Sequence, residues 1–359
     1  MMQKMDGMNY APVSQGKITV VVGPGEFCFS VIGLDHGHIF AMTNGLLEAG
    51  ATLVSVFDED PLKAEAFCNR YPQTRMAPSV ESILRDPSIQ LVASAIKPDG
   101  RCRLGLEVLR SGKDYFVDKP GLLTEEELQQ VRQACKESKG KYFIYFGERI
   151  HVEGALLAEQ LIREGKVGRV VSMTILAPHR LNPSSRAPWF FDPRQSGGIL
   201  TDIGSHQIEQ FLTFSGAREA TVMHSAKANY HNPDHPDFSD WGECSLVADN
   251  KATCYFRVDW FTPDGMGAWG DGRVFIIGTE GTIEIRKYLD VASSPSGDNV
   301  YFVDKEGEHK YEATGKIGFV FFGKFILDCL HRTEEAMTQE HVFLATRLAL
   351  EAERVARVI

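Results

Sequence analysis

The stretch Phe27-Cys28-Phe29-Ser30-Val31-Ile32-Gly33-Leu34-Asp35-His36-Gly37-His38-Ile39-Phe40-Ala41-Met42 sets the fold class of this 359-residue chain. Phe27 to Ile32 reads as a strand buried on both faces and Gly33 to His38 as a turn. Ile39, Met42, Leu46 and Leu47 then fall on one face of a helix over His38 to Ala49, which Gly50 stops. A second strand follows at Thr52 to Phe57 and ends at Asp58. Strand, glycine turn, helix and strand form the repeating unit of a parallel sheet, whose neighbours must be joined by crossovers.

The same grammar continues outward. Asp60-Pro61 supplies an N-cap followed by proline at the first helical position. Strands are predicted over 91–96, 115–117 and 142–146, with helices near 101–111 and 124–138; Thr124 and Glu127 have the spacing of a capping box. Beyond about residue 150 the pattern changes to a helix over 151–164 and then β-rich runs over 169–176, 220–228, 241–248, 252–261, 274–285 and 299–303. Segments 319–332 and 340–358 read as helices. The expected architecture is α/β plus α+β: residues 1–149 as an N-terminal extension and a dinucleotide-type parallel domain, and residues 150–359 as a substrate and oligomerisation domain on a large, mostly antiparallel open sheet.

Composition narrows the partners. A net charge of −10 argues against phosphate-backbone binding, so nucleic acid is not expected. No apolar run reaches the roughly 18 residues a membrane span needs, and residues 1–16 lack the apolar core of a secretion signal, so the expectation is a cytoplasmic protein. The seven cysteines are odd in number and dispersed, which favours small core residues over a disulfide framework or zinc site. His231-Asn232-Pro233-Asp234-His235-Pro236-Asp237 resembles metal-ligand spacing but, with two prolines, reads as a polar loop; no metal is expected.

The strand, glycine turn and helix, with an acid at the end of the next strand, suggest a nicotinamide-dinucleotide site. Gly33 would make the tight turn, the helix N-terminus would receive the pyrophosphate, and Asp58 would hold the adenosine ribose. Asp58-Glu59-Asp60 would repel a 2′-phosphate, so NAD is preferred to NADP. The turn departs from G-x-G-x-x-G: Asp35 stands at its second glycine and His38 at its third. Either Asp35 turns away while His36 and His38, flanking Gly37, help to bind, or the site has decayed.

Two further segments carry chemistry. Lys119, after Phe116-Val117-Asp118 and before Pro120, lies at a strand end where open α/β sheets bind ligands; Pro120 restricts its backbone. Asp118 is a ligand group or, preferably, a turn former. In Gly197-Gly198-Ile199-Leu200-Thr201-Asp202-Ile203-Gly204-Ser205-His206, Asp202 and His206 are four apart and would share a helix face. The paired glycines suggest close approach of a ligand or a neighbouring segment. A neutral His206 would act as general base, Asp202 would orient it or bind a hydroxyl, and Lys119 would favour an alkoxide. Arg149, His179 and Trp189 are candidate substrate contacts. For His151 and His179 an ordinary polar contact is the favoured reading, and Trp189, Phe190 and Phe191 suit a sugar face or the core equally.

Asp118-Lys119-Pro120 is similar to the Glu-Lys-Pro motif, and Gly197-Gly198 with Asp202, Gly204 and His206 to the Gly-Gly-x-x-x-Asp-x-Gly-x-His motif, of the Gfo/Idh/MocA family; from Phe27 onward the chain resembles that family. The resemblance implies an N-terminal Rossmann domain, bound NAD or NADP, and a C-terminal open sheet used in a homodimer or homotetramer. It implies that Lys119 contacts nicotinamide and substrate, that Asp202 orients, that His206 is the acid/base, and that Pro98 borders the nicotinamide pocket. Departures are Asp35, Asp118 for the usual Glu, and Cys102 where many members have His. The expected activity is hydride transfer between nicotinamide and a secondary alcohol of a sugar, cyclitol or sugar derivative. Alternatives are glycoside hydrolysis by transient oxidation with retained NAD, and a non-catalytic sugar-sensing regulator.

Overall fold

The computed structural model describes residues 6–359, so residues 1–5 of the N-terminal extension lie outside the described residues. The first sheet is built from β1 (Cys28–Ile32), β2 (Thr52–Phe57), β3 (Arg75–Met76), β4 (Leu91–Ser94), β5 (Asp114–Asp118) and β6 (Tyr142–Tyr145). Helices α1 (His38–Glu48), α2 (Pro61–Arg70), α3 (Val80–Arg85), α4 (Pro98–Arg110) and α5 (Glu125–Ser138) join them. The strand order is β3-β2-β1-β4-β5-β6, all parallel. Every residue of β1, β4, β5 and β6 is buried, which is why these strands read as apolar runs without alternation. The order reverses between β1 and β4, and a crevice opens at their carboxyl ends. Asp60 caps α2, and Thr124 and Glu127 form the reciprocal capping box of α5.

After α6 (Gly147–Ile150) and α7 (Glu153–Arg163) comes the first strand of the second sheet, β7 (Val170–Pro178). Short helices α8 (Pro193–Ser196) and α9 (Ile199–Asp202) lead into α10 (Gly204–Ser215). Strands β8 (Ala220–Ala228), β9 (Trp241–Ala248), β10 (Thr253–Asp259), β11 (Arg273–Gly278), β12 (Gly281–Arg286), β13 (Asn299–Asp304) and β14 (Gly307–Glu312) follow, then α11 (Val320–His331), α12 (Gln339–Val355) and β15 (Arg357–Val358). The sheet order is β14-β13-β12-β11-β7-β10-β9-β8-β15, antiparallel except at β7/β10 and β8/β15.

The run 274–285 is a hairpin, β11 and β12, joined at the turn that Thr279-Glu280-Gly281 suggests in the sequence. Two expectations change. The predicted helix over 340–358 ends at Val355, because Arg357 and Val358 pair with Ala226 and Lys227. Asp202 and His206 do not share one helix: Asp202 ends α9 and His206 lies in α10, with Ile203, still at right-handed helical angles, between them. One face of the second sheet is covered by α10 and α12. On the other, Thr174, Leu176, Glu243, Tyr255, Arg257 and Phe275 are half-buried and Ile277 is exposed.

Candidate functional site

Lys119 is the first residue beyond β5, and its bond to Pro120 is cis. Although only 5% exposed, its Nζ lies 2.6 Å from Asp202 Oδ1 at the end of α9. The paired glycines explain how the two segments meet. A Cβ on Gly197 would press on Leu123 and Pro120, and one on Gly198 would collide with the Glu353 carboxylate of α12. Both glycines have positive φ, so a side chain there would be strained as well as crowded. Glu353 also accepts the Leu200 N–H at 2.9 Å, holding the start of α9. The close approach is thus to neighbouring segments.

The loop carrying Lys119 is braced by Arg101 of α4, a residue the sequence reading did not single out. Its guanidinium donates to the carbonyls of Ile96 (2.8 Å), Asp118 and Pro120 (both 3.0 Å), and to Asp118 Oδ2 (3.2 Å). Asp118 is fully buried and also faces His36 Nδ1 at 3.2 Å and His38 Nδ1 at 2.8 Å. Burial would raise its pKa, but His38, His36 and Arg101 outweigh it and hold the carboxyl well below the usual range. The Nδ1 atoms of His36 and His38 thus face Asp118, while His38 Nε2 faces the Gly7 carbonyl at 3.2 Å. Asp118 is more than a turn former. The three side chains have metal-ligand spacing, yet Arg101 beside the same carboxylate puts a fixed positive charge where a cation would sit.

His206 lies in the first turn of α10 and is 2% exposed; its Nδ1 is buried with no hydrogen-bond partner among the described residues. Burial, opposed by Glu148 and reinforced by Lys119, His38 and His179, holds its pKa well below 6.5. The ring is neutral near pH 7, the state a general base requires. Glu148 of α6, also missed in the sequence, organises this side of the site. It accepts from Lys287 Nζ (3.0 Å) and Gln207 Nε2 (3.1 Å) and faces His179 Nε2 at 3.4 Å. Burial would raise the Glu148 pKa, but Lys287, His206 and His179 hold it far below the usual value. A lone Glu on a short helix and a lone Lys 139 positions later give no sequence signal that they pair.

The remaining candidates divide. His179 packs against Trp260 and Trp269 and stays with the site, its pKa lowered to about 4 mainly by burial. Arg149 is corrected: its guanidinium binds Glu209 at 2.5–3.0 Å and Glu159 at 2.8 Å, which leaves it committed as a buried structural ion pair. Trp189 packs edge-on against Phe190, while Phe190 and Phe191 pack on Phe238, so this triplet belongs to an aromatic cluster. His151 donates to or accepts from Tyr145 Oη at 2.7 Å and packs against Phe319 and Phe322. In the 231–237 loop, the amides of Tyr230 and His231 and the Asn232 side chain bind Asp240.

Burial lowers the His151 pKa to about 3. The unfolded chain protonates this ring near 6.5, so between pH 6.5 and 3 the unfolded state binds the extra proton and folding weakens as pH falls. Asp298, raised to about 7 by burial, titrates with the opposite sign. The contribution is therefore read as a difference: between pH 7 and 4.5, His151→Phe is expected to lose about 2–3 kcal/mol less unfolding free energy than the wild type. Parallel pH dependences in urea titrations would overturn this.

The crevice at the β1/β4 switch has a volume of about 540 Å³ and is lined by Ile32, Gly33, Asp35, Phe57, Asp58, Val80, Ile96, Lys97 and Leu104, among others. Gly33 has φ +82°, and a Cβ there would collide with Ile96, so the tight turn requires glycine. Asp58 accepts from Leu34 N (2.7 Å) and Asp60 N (2.8 Å), which fixes it at the end of β2 with lone pairs left for ribose hydroxyls. Asp35 turns to Lys63 Nζ (2.7 Å) and Lys97 N (3.1 Å), so its charge is paired. Pro98 starts α4, buried behind Lys97 and Asp99 of the crevice wall. These residues fit the adenosine half of a dinucleotide, with α1 presenting its N-terminus beside them.

The fold and the crevice at the β1/β4 switch are those of a dinucleotide-binding Rossmann domain joined to a second, mostly antiparallel sheet. Residues 19–146 match the oxidoreductase family with an NAD-binding Rossmann fold, and residues 155–284 match the GFO/IDH/MocA C-terminal domain. The chain belongs to the Gfo/Idh/MocA family, and its cofactor is a nicotinamide dinucleotide. The 1.25 Å crystal structure of a candidate oxidoreductase from Erwinia carotovora atroseptica SCRI1043 is 46% identical; the match covers 93% of this chain and 100% of that one, with a TM-score of 0.90. Levoglucosan dehydrogenase, solved with NADH and levoglucosan, superposes with a TM-score of 0.75 at 18% identity over 91% of this chain and 97% of its own. The NADP-dependent scyllo-inositol 2-dehydrogenase of Bacillus subtilis is 26% identical over 54% of this chain and 56% of its length. The chain spans about half or less of the length of the first curated relatives it matches. Among the described residues no helix is long and apolar enough to cross a membrane.

Proposed function

We propose that this chain is an NAD-dependent dehydrogenase of a secondary alcohol on a sugar, cyclitol or sugar derivative. The observation that carries the reading is the Lys119–Asp202 pair, at 2.6 Å, at the carboxyl end of β5, together with His206 buried in the first turn of α10. Gly33, Asp58 and the N-terminus of α1 would hold the dinucleotide, with Lys119 at its nicotinamide end. The bound nicotinamide supplies the hydride acceptor. His206 takes the hydroxyl proton, Lys119 Nζ stabilises the developing oxyanion, and Asp202 fixes the ammonium group and offers an acceptor to a neighbouring hydroxyl. The sugar-type substrate follows from the relatives named above, and NAD over NADP from Asp58, Glu59 and Asp60 at the ribose end.

The test is a screen of monosaccharides, anhydrosugars and inositols with NAD and with NADP, read as NADH or NADPH absorbance. Turnover with at least one of them, faster with NAD, is the expected result. Glycoside cleavage without net absorbance change would replace this reading with transient oxidation, and cofactor binding without chemistry on any compound would favour a sensor. The half-exposed sheet face, carrying Leu176, Phe275 and Ile277, is assigned to self-association; a monomer by light scattering at micromolar concentration would refute that assignment.

A further inference from the structure

The segment before β1 passes over the cofactor-binding turn. Asp6 is fully buried, and its Oδ2 accepts from Asn182 Nδ2 at 3.0 Å and from Ser185 Oγ at 2.9 Å. Its Oδ1 accepts from the backbone and side chain of Asn9, closing the turn Gly7–Asn9. Gly7 lies against the site itself: a Cβ there would stand 3.2 Å from the Trp269 ring and 3.4 Å from His179 Cδ2. The Gly7 carbonyl faces His38 Nε2 at 3.2 Å. The Met8 carbonyl oxygen sits where a Cβ on Gly37 would be, at the N-terminus of α1. Tyr10 then packs on Trp269 and Tyr288, and from Ala11 the chain leaves along α1, held by Asn44 and Glu48.

A helix N-terminus carries partial positive charge, and in this fold the pyrophosphate is received there. The Met8 carbonyl therefore presents an oxygen at the position expected for a phosphate oxygen, while Gly7 fills space next to His179 and His38. The adenosine side of the crevice, lined by Gly33, Asp58 and Lys97, is open. The anchoring is one carboxylate on two neutral donors, one carbonyl on an imidazole, and the two ring contacts of Tyr10.

We propose that residues 6–10 form a strap, bound in cis across the pyrophosphate and nicotinamide side of the crevice, that NAD(H) displaces on binding. The inference rests on the dinucleotide reading of the crevice. It makes Asn182 and Ser185 a polar subsite that Asp6 occupies until the cofactor arrives, and Ala11-Pro12 the point about which the strap swings.

The test is an NADH fluorescence titration of the full chain, of Asp6→Ala, and of a chain lacking residues 2–10, each checked for wild-type circular dichroism. Hydrogen exchange of the 6–10 amides with and without NADH completes it. Affinity should rise about tenfold or more on truncation, since several net hydrogen bonds no longer compete, and by a smaller factor in Asp6→Ala. NADH should speed exchange at residues 6–10 of the full chain. Equal affinities with unchanged exchange would overturn the strap and leave the cofactor site standing. Weaker binding in the variants would make the segment part of the cofactor site, which also overturns it. No NADH binding by any of the three would remove the dinucleotide reading and the strap with it. Should the truncated chain misfold, Asp6→Ala and the exchange data decide alone.

Discussion

Replacing Lys119 by Met is expected to lower turnover by about 10²-fold or more while the chain still folds and binds NADH. Lys119 is 5% exposed, and its ammonium is held by Asp202 Oδ1 at 2.6 Å, so the charge is placed before substrate arrives. A cation fixed where negative charge develops stabilises the transition state more than the ground state, and that difference appears in turnover. Asp202 is 15% exposed, so losing its partner leaves a carboxylate that water still reaches, and the stability cost should be small. The measurement pairs kcat on the best compound of the sugar screen with NADH affinity and thermal midpoint. Wild-type kcat would sink the assignment; a collapsed midpoint would show that Lys119 is structural. Lys119→Arg keeps the charge but not the compact ammonium, so it should recover only part of the rate.

Local pattern made most of the fold readable. The helix caps at Asp60 and Thr124, the stop at Gly50 and the apolar runs at β1, β4 and β6 are signals within a few residues of one another. The motif segments led to Lys119, Asp202 and His206 because each lies in a short glycine- or proline-marked stretch. What the sequence hid depends on long-range pairing. His38 meets Asp118 across 80 positions, and Lys287 meets Glu148 across 139, with nothing local to mark either pair. Asp35 looked like a defect in the glycine turn, yet Lys63, 28 positions on, neutralises it. In the sequence, Asp118 and His38 at the third glycine position stand as separate departures, and the structure brings both together with His36 beside Arg101.

Arg149 decides whether a buried charge near the site serves substrate or scaffold, and Arg149→Met should destabilise the chain by about 3–5 kcal/mol. The guanidinium of α6 reaches Glu209 of α10, which is fully buried and three positions beyond His206 in the same helix. Burial would raise the Glu209 pKa, but Arg149 and His341 bring it down to about 2. Without Arg149, Glu209 retains His341 at 3.3 Å and Thr213 at 3.1 Å, too little to offset a desolvated carboxylate. The double variant Arg149→Met/Glu209→Met removes both charges and should recover most of the loss, because a buried ion pair is often no more stabilising than apolar groups of similar volume. Thermal and urea unfolding of wild type, both single variants and the double variant form the cycle. A substrate-contact role predicts the reverse pattern: Arg149→Met with a wild-type unfolding midpoint and a raised KM. That result would restore Arg149 to the binding site and leave Glu209 without the partner its burial demands.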